Sequence, residues 1–358
     1  MVPDAVNLDS LRRILVVKLR HHGDVLLASP VLQVLKNRAP GADIDALVYA
    51  DTRDMLAGHP ALSMLHTVDR SWKRQPIATQ WPSELGLLKR LAGRKYQLIV
   101  HLTDHWRGAW LAQALRPRWS VAPSRASRFW KWSFTHRYPL PKATPRHTVE
   151  ANLDALRRIG IYPAEDERKL VLVPGDEATQ RVDQLLAQHG LAPKQFIQAH
   201  PTSRWLFKAW TESRNAELLR ALVHDGHRVV VTGAPDAREK AIVGRILQAA
   251  GEGVVDLSGQ LTLREMGALS ARARLFFGVD SAPMHIASAM GTPVVALFGP
   301  SGEHEWGPWK VAHHIVTSTH PCRPCGNDGC GGGKVSECLT TLPVDRVRSA
   351  INELLARP

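Results

Sequence analysis

The chain has few cysteines, fewer acidic than basic residues, and no apolar run that predicts a membrane span. Its 358 residues include 4 Cys, all between residues 322 and 338. Cysteines clustered in so short a segment cannot cross-link a chain of this size through disulfides. The clustering therefore favours a reducing, cytoplasmic setting. The uncharged run over residues 286–302 is interrupted by glycine and proline, which predicts buried core. Asp4 and Asp9 precede the first apolar run, which argues against a secretory signal.

The shortage of acidic residues leaves a strongly basic protein. The 46 Lys and Arg against 33 Asp and Glu give a formal net charge of +13. That balance suits an anionic partner, which could be nucleic acid, a membrane surface or a phosphorylated substrate. With 44% hydrophobic and 22% charged residues, the composition is that of a soluble globular protein. It excludes a disordered tail, a collagen-like fibre and a small disulfide scaffold.

Apolar strands alternate with amphipathic helices along the chain. Residues 14–19 predict a strand buried on both faces of a parallel sheet, and residues 25–36 have helical spacing. The rhythm restarts after residues 161–176, which are rich in Pro, Gly and charge. Further strands are predicted over residues 44–49, 98–102, 196–200, 229–232, 275–278 and 294–298, and further helices over residues 83–92, 216–224, 238–250, 263–271, 284–290 and 344–355.

This rhythm predicts an α/β protein with two Rossmann-like, doubly wound domains facing a central cleft. The predicted domains are residues 1–168, residues 169–342 and a C-terminal helix within residues 343–358. We detect no internal repeat.

The first strand ends in a short polar loop, residues 20–24. Open α/β sheets bind their ligands at this edge. Asp24 could cap the helix that follows, or it could face the ligand as a general base. The residues alone leave both interpretations open. The rest of the loop is Arg20, His21, His22 and Gly23.

A second polar loop follows the fourth predicted strand. It contains Thr202, Ser203 and Lys208, whose hydroxyls and ammonium suit a diphosphate. A capped helix start with a solvated lysine fits the same residues equally well. Gly233 and Asp236 end the next strand and could shape a nucleotide pocket.

A third polar loop, residues 278–285, follows another buried strand. Asp280 or Ser281 can cap the next helix, and the N–H groups at its start form an anion site. His285 could belong to that site or to the core.

A basic, tryptophan-rich tract covers residues 105–147. It holds 9 Lys or Arg and no Asp or Glu, together with 5 of the 11 Trp. Such a tract can bind single-stranded nucleic acid. It can also grip a phosphorylated glycolipid beside a membrane, with Trp130 and Trp132 at the headgroup level. A solvated basic face over ordinary tryptophan core is the third interpretation.

The four cysteines lie in a glycine-rich segment without secondary-structure pattern. Their spacing does not match the two short pairs of a usual zinc finger. A structural metal, a reduced loop and a disulfide therefore all remain open, and no cysteine nucleophile is indicated. The residues are Cys322, Cys325, Cys330 and Cys338.

Together these motifs resemble the bacterial lipopolysaccharide core heptosyltransferases. The likeness rests on residues 18–27, 44–49 and 278–300, and it runs in order over nearly the whole chain. The Gly-Asp and Asp-Ser-x-x-x-His elements are family-wide. Residues 18–24 and 48–52 are most similar to the type III members, which add the branch heptose of the inner core.

The resemblance implies the GT-B fold and an inverting transfer from ADP-L-glycero-β-D-manno-heptose that requires no cofactor and no metal. Asp24 would be the general base that activates the acceptor hydroxyl. Lys208, with Thr202 and Ser203, would hold the diphosphate, and Asp280 would orient the heptose hydroxyls. The other implied donor residues are Ser281, Ala282 and His285, with Gly233 and Asp236 in the nucleotide pocket. The implied acceptor residues are Arg20, His21, His22 and Gly23.

The resemblance also implies where the protein works. Its acceptor would be a lipopolysaccharide core of the lipid A–Kdo–heptose type. The enzyme would then be cytoplasmic and peripherally associated with the inner membrane, which suits the net charge of +13. No nucleic-acid partner is expected, because no recognition-helix or RNA-binding signature is present. The alternatives are a type I or II heptosyltransferase, another GT-B core-sugar transferase, a non-catalytic sugar-nucleotide binder, and a nucleic-acid-binding protein that uses the basic tract.

Overall fold

The chain divides into two compact α/β units, Met1–Leu172 and Val173–Pro358, in the computed structural model. The structure describes residues 4–74, 76–140 and 145–357, and only the backbone of Lys73, Ile77 and Thr79. Each unit is built on a six-stranded parallel sheet.

Unit 1 places its most apolar strand at the centre of its sheet. Its strands are β1 (Arg13–Val17), β2 (Asp43–Tyr49), β3 (Met64–Val68), β4 (Leu98–His101), β5 (Trp119–Pro123) and β6 (His136–Tyr138), in the order β3-β2-β1-β4-β5-β6. Ile14 of β1 lies opposite Ile44 on one side and Leu98 on the other. All three are buried, as expected of a strand covered by helices on both faces.

The helices of unit 1 differ from expectation at one place. They are α1 (His22–Leu26), α2 (Ser29–Arg38), α3 (Ile77–Gly93), α4 (Trp106–Leu115), α5 (Arg128–Ser133) and α6 (Thr148–Arg158). The single helix predicted over residues 25–36 is wrong, because two helices share that stretch. Pro30 is the second residue of α2 and has no N–H to donate back to the preceding turn, so the first helix stops.

Unit 2 repeats the same design. Its strands are β7 (Phe196–His200), β8 (Arg228–Val231), β9 (Val254–Asp256), β10 (Leu275–Val279), β11 (Val294–Leu297) and β12 (His313–Val316), in the order β12-β11-β10-β7-β8-β9. Its helices are α7 (Asp176–Gln188), α8 (Glu212–His224), α9 (Ala237–Ala250), α10 (Leu263–Arg272), α11 (Ala282–Ala289), α12 (Glu303–Trp306), α13 (Glu337–Thr340) and α14 (Val344–Leu355).

The C-terminal helix α14 belongs to the core of unit 2. It is amphipathic and buries Val347, Ile351 and Leu354 in one cluster with Leu218 and Leu222 of α8. This spacing of three and four residues is that of a helix with one apolar face.

Both sheets have the doubly wound strand order, so the predicted pair of Rossmann-like folds is confirmed. In such sheets ligands bind at the carboxyl ends of the two central strands, where the winding direction reverses. That position lies between β1 and β4 in unit 1 and between β7 and β10 in unit 2. Across residues 4–74, 76–140 and 145–357, we find no helix with the length and apolar character needed to span a bilayer.

Candidate active site

The loop after β1 places Asp24 inside a helix rather than before one. Helix α1 begins at His22, so His21 occupies the N-cap position and Asp24 is the third helical residue. The interpretation of Asp24 as a helix cap is therefore wrong. Asp24 is partly exposed, and a carboxylate in the first turn is stabilised by the N-terminal end of the helix dipole.

Two residues that follow β2 and β3 hold this loop in place. The Arg70 guanidinium donates to the Arg20 carbonyl oxygen at 2.7 Å and to both carboxylate oxygens of Asp51 at 3.1 Å. His22 Nε2 lies 2.8 Å from the Asp51 carbonyl oxygen. The loop backbone is fixed by these contacts, while the side chains of Arg20 and His21 are exposed.

A buried lysine lies close to the candidate base. Lys18 is 5% exposed, and its Nζ donates to the Leu102 carbonyl oxygen at 3.2 Å and to Asn152 Oδ1 at 2.9 Å. Asn152 Nδ2 in turn donates to the carbonyl oxygen of Leu27, directly after α1, at 3.0 Å. Burial lowers the pKa of Lys18 to about 8, and the negative charge of Asp24 acts in the opposite direction. Sequence reasoning missed this pair, although a lysine that interrupts an apolar run is a signal for it.

The end of β4 carries a neutral histidine. His101 packs against Trp130 and Phe134 with ring centroids 5.8 Å away in both cases, and burial lowers its pKa to about 3. Helix α4 approaches this ring at Gly108, where a Cβ would overlap the imidazole. Trp130 is fully buried and donates from Nε1 to the Pro123 carbonyl oxygen at 2.7 Å. Its predicted position at a membrane headgroup is therefore wrong.

In unit 2 the structure brings two of the predicted donor residues into contact. Lys208 follows β7 and Asp280 follows β10, and these strands are neighbours at the centre of the sheet. The distance from Lys208 Nζ to Asp280 Oδ2 is 2.5 Å. The Asp280 side chain is nearly buried, whereas that of Lys208 remains partly exposed. A cation that is both paired and accessible can still reach an anionic ligand.

The two hydroxyls of the same loop are buried and already bonded. Thr202 Oγ1 donates to Glu239 Oε2 at 2.7 Å. Ser203 Oγ accepts a hydrogen bond from the Trp205 N–H at 3.3 Å. Both hydroxyls therefore position the loop in this structure, and their role toward a diphosphate stays a prediction. Sequence reasoning missed Glu239, a buried acid in the first turn of α9.

The two residues predicted for a nucleotide pocket lie against α9. Asp236 is the N-cap of α9 and accepts a hydrogen bond from the Glu239 N–H at 3.1 Å. A Cβ on Gly233 would lie 3.1 Å from Val243 Cγ2 and 3.9 Å from Thr202 Oγ1. Capping accounts for Asp236 in this structure, and its contact with a nucleotide stays a prediction.

Helix α11 begins beside Asp280. Ser281 holds the N-cap position, but its hydroxyl donates to the Val279 carbonyl oxygen at 3.2 Å. Within the part of the chain that the structure describes, no side chain caps this helix. Ala282 is partly exposed as the first helical residue, and His285 is buried one turn later. The start of α11 has the polarity that binds phosphate at helix N-termini.

The four cysteines form no disulfide in this structure. Cys322, Cys325 and Cys330 are exposed and Cys338 is buried, and all four thiols are free. Burial raises the pKa of the Cys338 thiol. Among the described residues, no three His, Cys, Asp or Glu side chains are arranged to hold a metal ion.

Comparisons with known proteins point to one family. Residues 85–335 match the model of glycosyltransferase family 9 (heptosyltransferase). The chain is 35% identical over 296 residues to lipopolysaccharide heptosyltransferase 3 of Escherichia coli, covering 82% of this chain and 85% of that protein.

Two solved structures share the fold. A family 9 glycosyl transferase from Veillonella parvula superposes with a TM-score of 0.83 at 22% identity, over 98% of this chain and 99% of that one. The E. coli heptosyltransferase WaaC with ADP-2-deoxy-2-fluoro heptose gives a TM-score of 0.72 at 18% identity, over 95% and 99%.

Proposed function

Because the chain belongs to glycosyltransferase family 9, the heptosyltransferases, we propose that it transfers L-glycero-D-manno-heptose from ADP-L-glycero-β-D-manno-heptose to an inner-core heptose of lipopolysaccharide. The type III reaction, addition of the branch heptose, is supported by the 35% identity to heptosyltransferase 3 over most of both chains. The ADP-sugar donor is supported by the fold neighbour solved with an ADP-heptose analogue.

The contact between Lys208 and Asp280 is the main structural support for the proposed donor-binding site. An ammonium has three N–H donors, so Lys208 can hold Asp280 with one and phosphate oxygens with the others. Asp280 keeps lone pairs for sugar hydroxyls, and the start of α11 supplies backbone N–H groups for the diphosphate. As the bond between the anomeric carbon and the phosphate oxygen breaks, negative charge grows on ADP. A fixed cation there stabilises the transition state more than the ground state.

Asp24 supplies the base in this proposal. Its carboxylate takes the proton from an acceptor hydroxyl, whose oxygen forms a bond to the anomeric carbon while the bond to ADP breaks. The electron pair of the broken bond leaves with ADP, and the anomeric carbon is inverted. Lys18 gives Asp24 a buried positive neighbour, and Asn152 ties the end of α1 to α6.

We also propose that the protein works in the cytoplasm, peripherally associated with the inner membrane. The acceptor would be a glycolipid of the lipid A–Kdo–heptose type, so catalysis would take place where that lipid is anchored. The net charge of +13 favours contact with an anionic surface.

The reaction is tested by offering the purified protein ADP-heptose and two acceptors. One core glycolipid lacks only the branch heptose, and the other also lacks the preceding heptose. We expect product from the first acceptor alone, identified by mass spectrometry, with the new linkage assigned by NMR. Product only from the shorter acceptor would assign the protein to another heptosyltransferase type. Efficient transfer from a UDP or GDP sugar in place of ADP-heptose would contradict the donor assignment.

A further inference from the structure

Four aromatic side chains form a continuous ridge on α4 and α5 of unit 1, in which the three tryptophans are exposed and Phe129 is partly buried. The aromatic ridge consists of Trp106, Trp110, Phe129 and Trp132. Phe129 connects the others, with ring centroids 6.1, 4.8 and 6.3 Å from those of Trp106, Trp110 and Trp132. The three tryptophans are 43%, 65% and 74% exposed, respectively. Contiguous exposed apolar surface of this kind marks an interaction site.

The surroundings of the aromatic ridge are positively charged. Arg128 and Lys131 are exposed on α5. The Arg125 guanidinium lies 5.4 Å from the centroid of the Trp106 ring. The negative charges of the nearby carboxylates are neutralised, because Asp104 pairs with Arg125 and Glu84 pairs with an arginine of α4. Exposed cations beside exposed tryptophans complement an anionic, partly apolar surface.

The position of the ridge suits a membrane-embedded acceptor. Helix α4 begins five residues after β4 ends, at the carboxyl edge of the sheet that also carries the Asp24 loop. The core below is already filled by Trp130, which is fully buried beneath the same helices. The exposed rings are therefore surplus to the packing of unit 1.

We propose that the aromatic ridge docks unit 1 on an anionic lipid bilayer. The rings would lie at the headgroup level, and Arg128 and Lys131 would contact lipid phosphates. The purpose of this docking rests on the proposed function, because a glycolipid acceptor anchored in the same bilayer would present its sugars to the carboxyl edge of the sheet. Lipid is favoured over single-stranded nucleic acid because the four rings contact one another through Phe129 and form one continuous apolar surface.

The test is cosedimentation with vesicles that contain no lipopolysaccharide. Wild-type protein should bind phosphatidylglycerol–phosphatidylethanolamine vesicles much more tightly than phosphatidylcholine vesicles, and high salt should weaken the binding. The Arg128→Gln/Lys131→Gln variant should bind about thirtyfold more weakly, because each Lys or Arg near an anionic surface contributes about fivefold in affinity. Trp110→Ser/Trp132→Ser should lose at least about tenfold through the lost apolar contact.

Two matched controls lie elsewhere on unit 1. Tyr162→Ser removes another highly exposed aromatic ring, and Arg12→Gln/Lys169→Gln removes the same charge from exposed positions. Both should bind vesicles like the wild type. Circular dichroism and transfer to a soluble, lipid-free core oligosaccharide should be unchanged in the ridge variants, which separates docking from folding and from chemistry.

The outcomes distinguish the two proposals. Ridge-dependent vesicle binding by a protein that transfers no heptose would overturn the proposed function and keep the docking surface. Heptose transfer with vesicle binding that the ridge variants retain would overturn the docking surface alone. The docking surface would also be overturned if the ridge substitutions instead abolished binding of a single-stranded oligonucleotide. It would likewise be overturned if they dissociated a dimer seen by size-exclusion chromatography.

Discussion

The buried lysine beside Asp24 should make unit 1 more stable as the pH rises above 8. Burial lowers the pKa of Lys18 from 10.5 to about 8, so between these values the unfolded chain holds a proton that the folded chain has released. Stability then increases with pH, by about 1.4 kcal/mol per pH unit. Over the interval from pH 8 to 10.5 the gain is about 3 kcal/mol. This gain in the free energy of unfolding is fully present above pH 10.5 and is lost as the pH falls through 8.

The Lys18→Met variant removes this titration while keeping a side chain about as long as the aliphatic part of lysine. At pH 7 the variant avoids burying an ammonium, which costs the wild type about 3 kcal/mol. It also leaves the Leu102 carbonyl and the Asn152 amide without their donor, at about 1–3 kcal/mol each. The two effects oppose each other, so the stabilities should be similar at pH 7, and the wild type should be the more stable by about 3 kcal/mol near pH 10.5.

The assay is urea unfolding followed by circular dichroism at several pH values from 7 to 10.5. The measured quantity is the difference in free energy of unfolding between the wild type and Lys18→Met, for the transition that the substitution shifts. Lys89→Met, at an exposed position of α3, should differ from the wild type by the same small amount throughout. A difference for Lys18→Met that does not change with pH would refute the buried, titrating lysine.

Two further predictions concern packing and the donor site. Lys208→Met leaves the Asp280 carboxylate buried and unpaired, so it should lower the free energy of unfolding by about 2–3 kcal/mol and abolish thermal protection by ADP. Adding Asp280→Asn should restore the stability but not the protection, and full protection in Lys208→Met alone would contradict the donor assignment. Gly108→Ala should destabilise unit 1 by about 1–3 kcal/mol, because its methyl group overlaps His101. Gly93→Ala, with open space around the added Cβ, is the control and should be neutral or slightly stabilising in the same thermal unfolding assay.

The central strands were the most predictable part of the fold. Continuous apolar runs marked them, and β7 and α14 have the predicted bounds of residues 196–200 and 344–355. The edge strands β6 and β9 were not predicted, because three residues are too few to show a period of two. The break between α1 and α2 was missed because the apolar spacing continues across it, and Pro30 is the one sequence signal that marks the break.

The candidate site was predictable in its loops but not in its partners. Three polar loops after buried strands pointed to the carboxyl edges of the sheets. Lys208 and Asp280 are 72 residues apart in sequence, so only the strand order brings them together. The tract around Trp130 and Trp132 shows the limit of composition, because positions two apart in a helix point about 200° apart. One ring is therefore buried and the other exposed, which their shared tract could not reveal.

Acceptor-dependent release of ADP from ADP-heptose by Asp24→Asn tests the central claim most directly. The substitution removes the basic carboxylate and changes little in size, and Asp9→Asn at an exposed position is the matched control. We expect the variant to release ADP at least about a hundredfold more slowly than the wild type, with thermal protection by ADP retained and the control at the wild-type rate. Release by Asp24→Asn at the wild-type rate would contradict the assignment of Asp24 as the base.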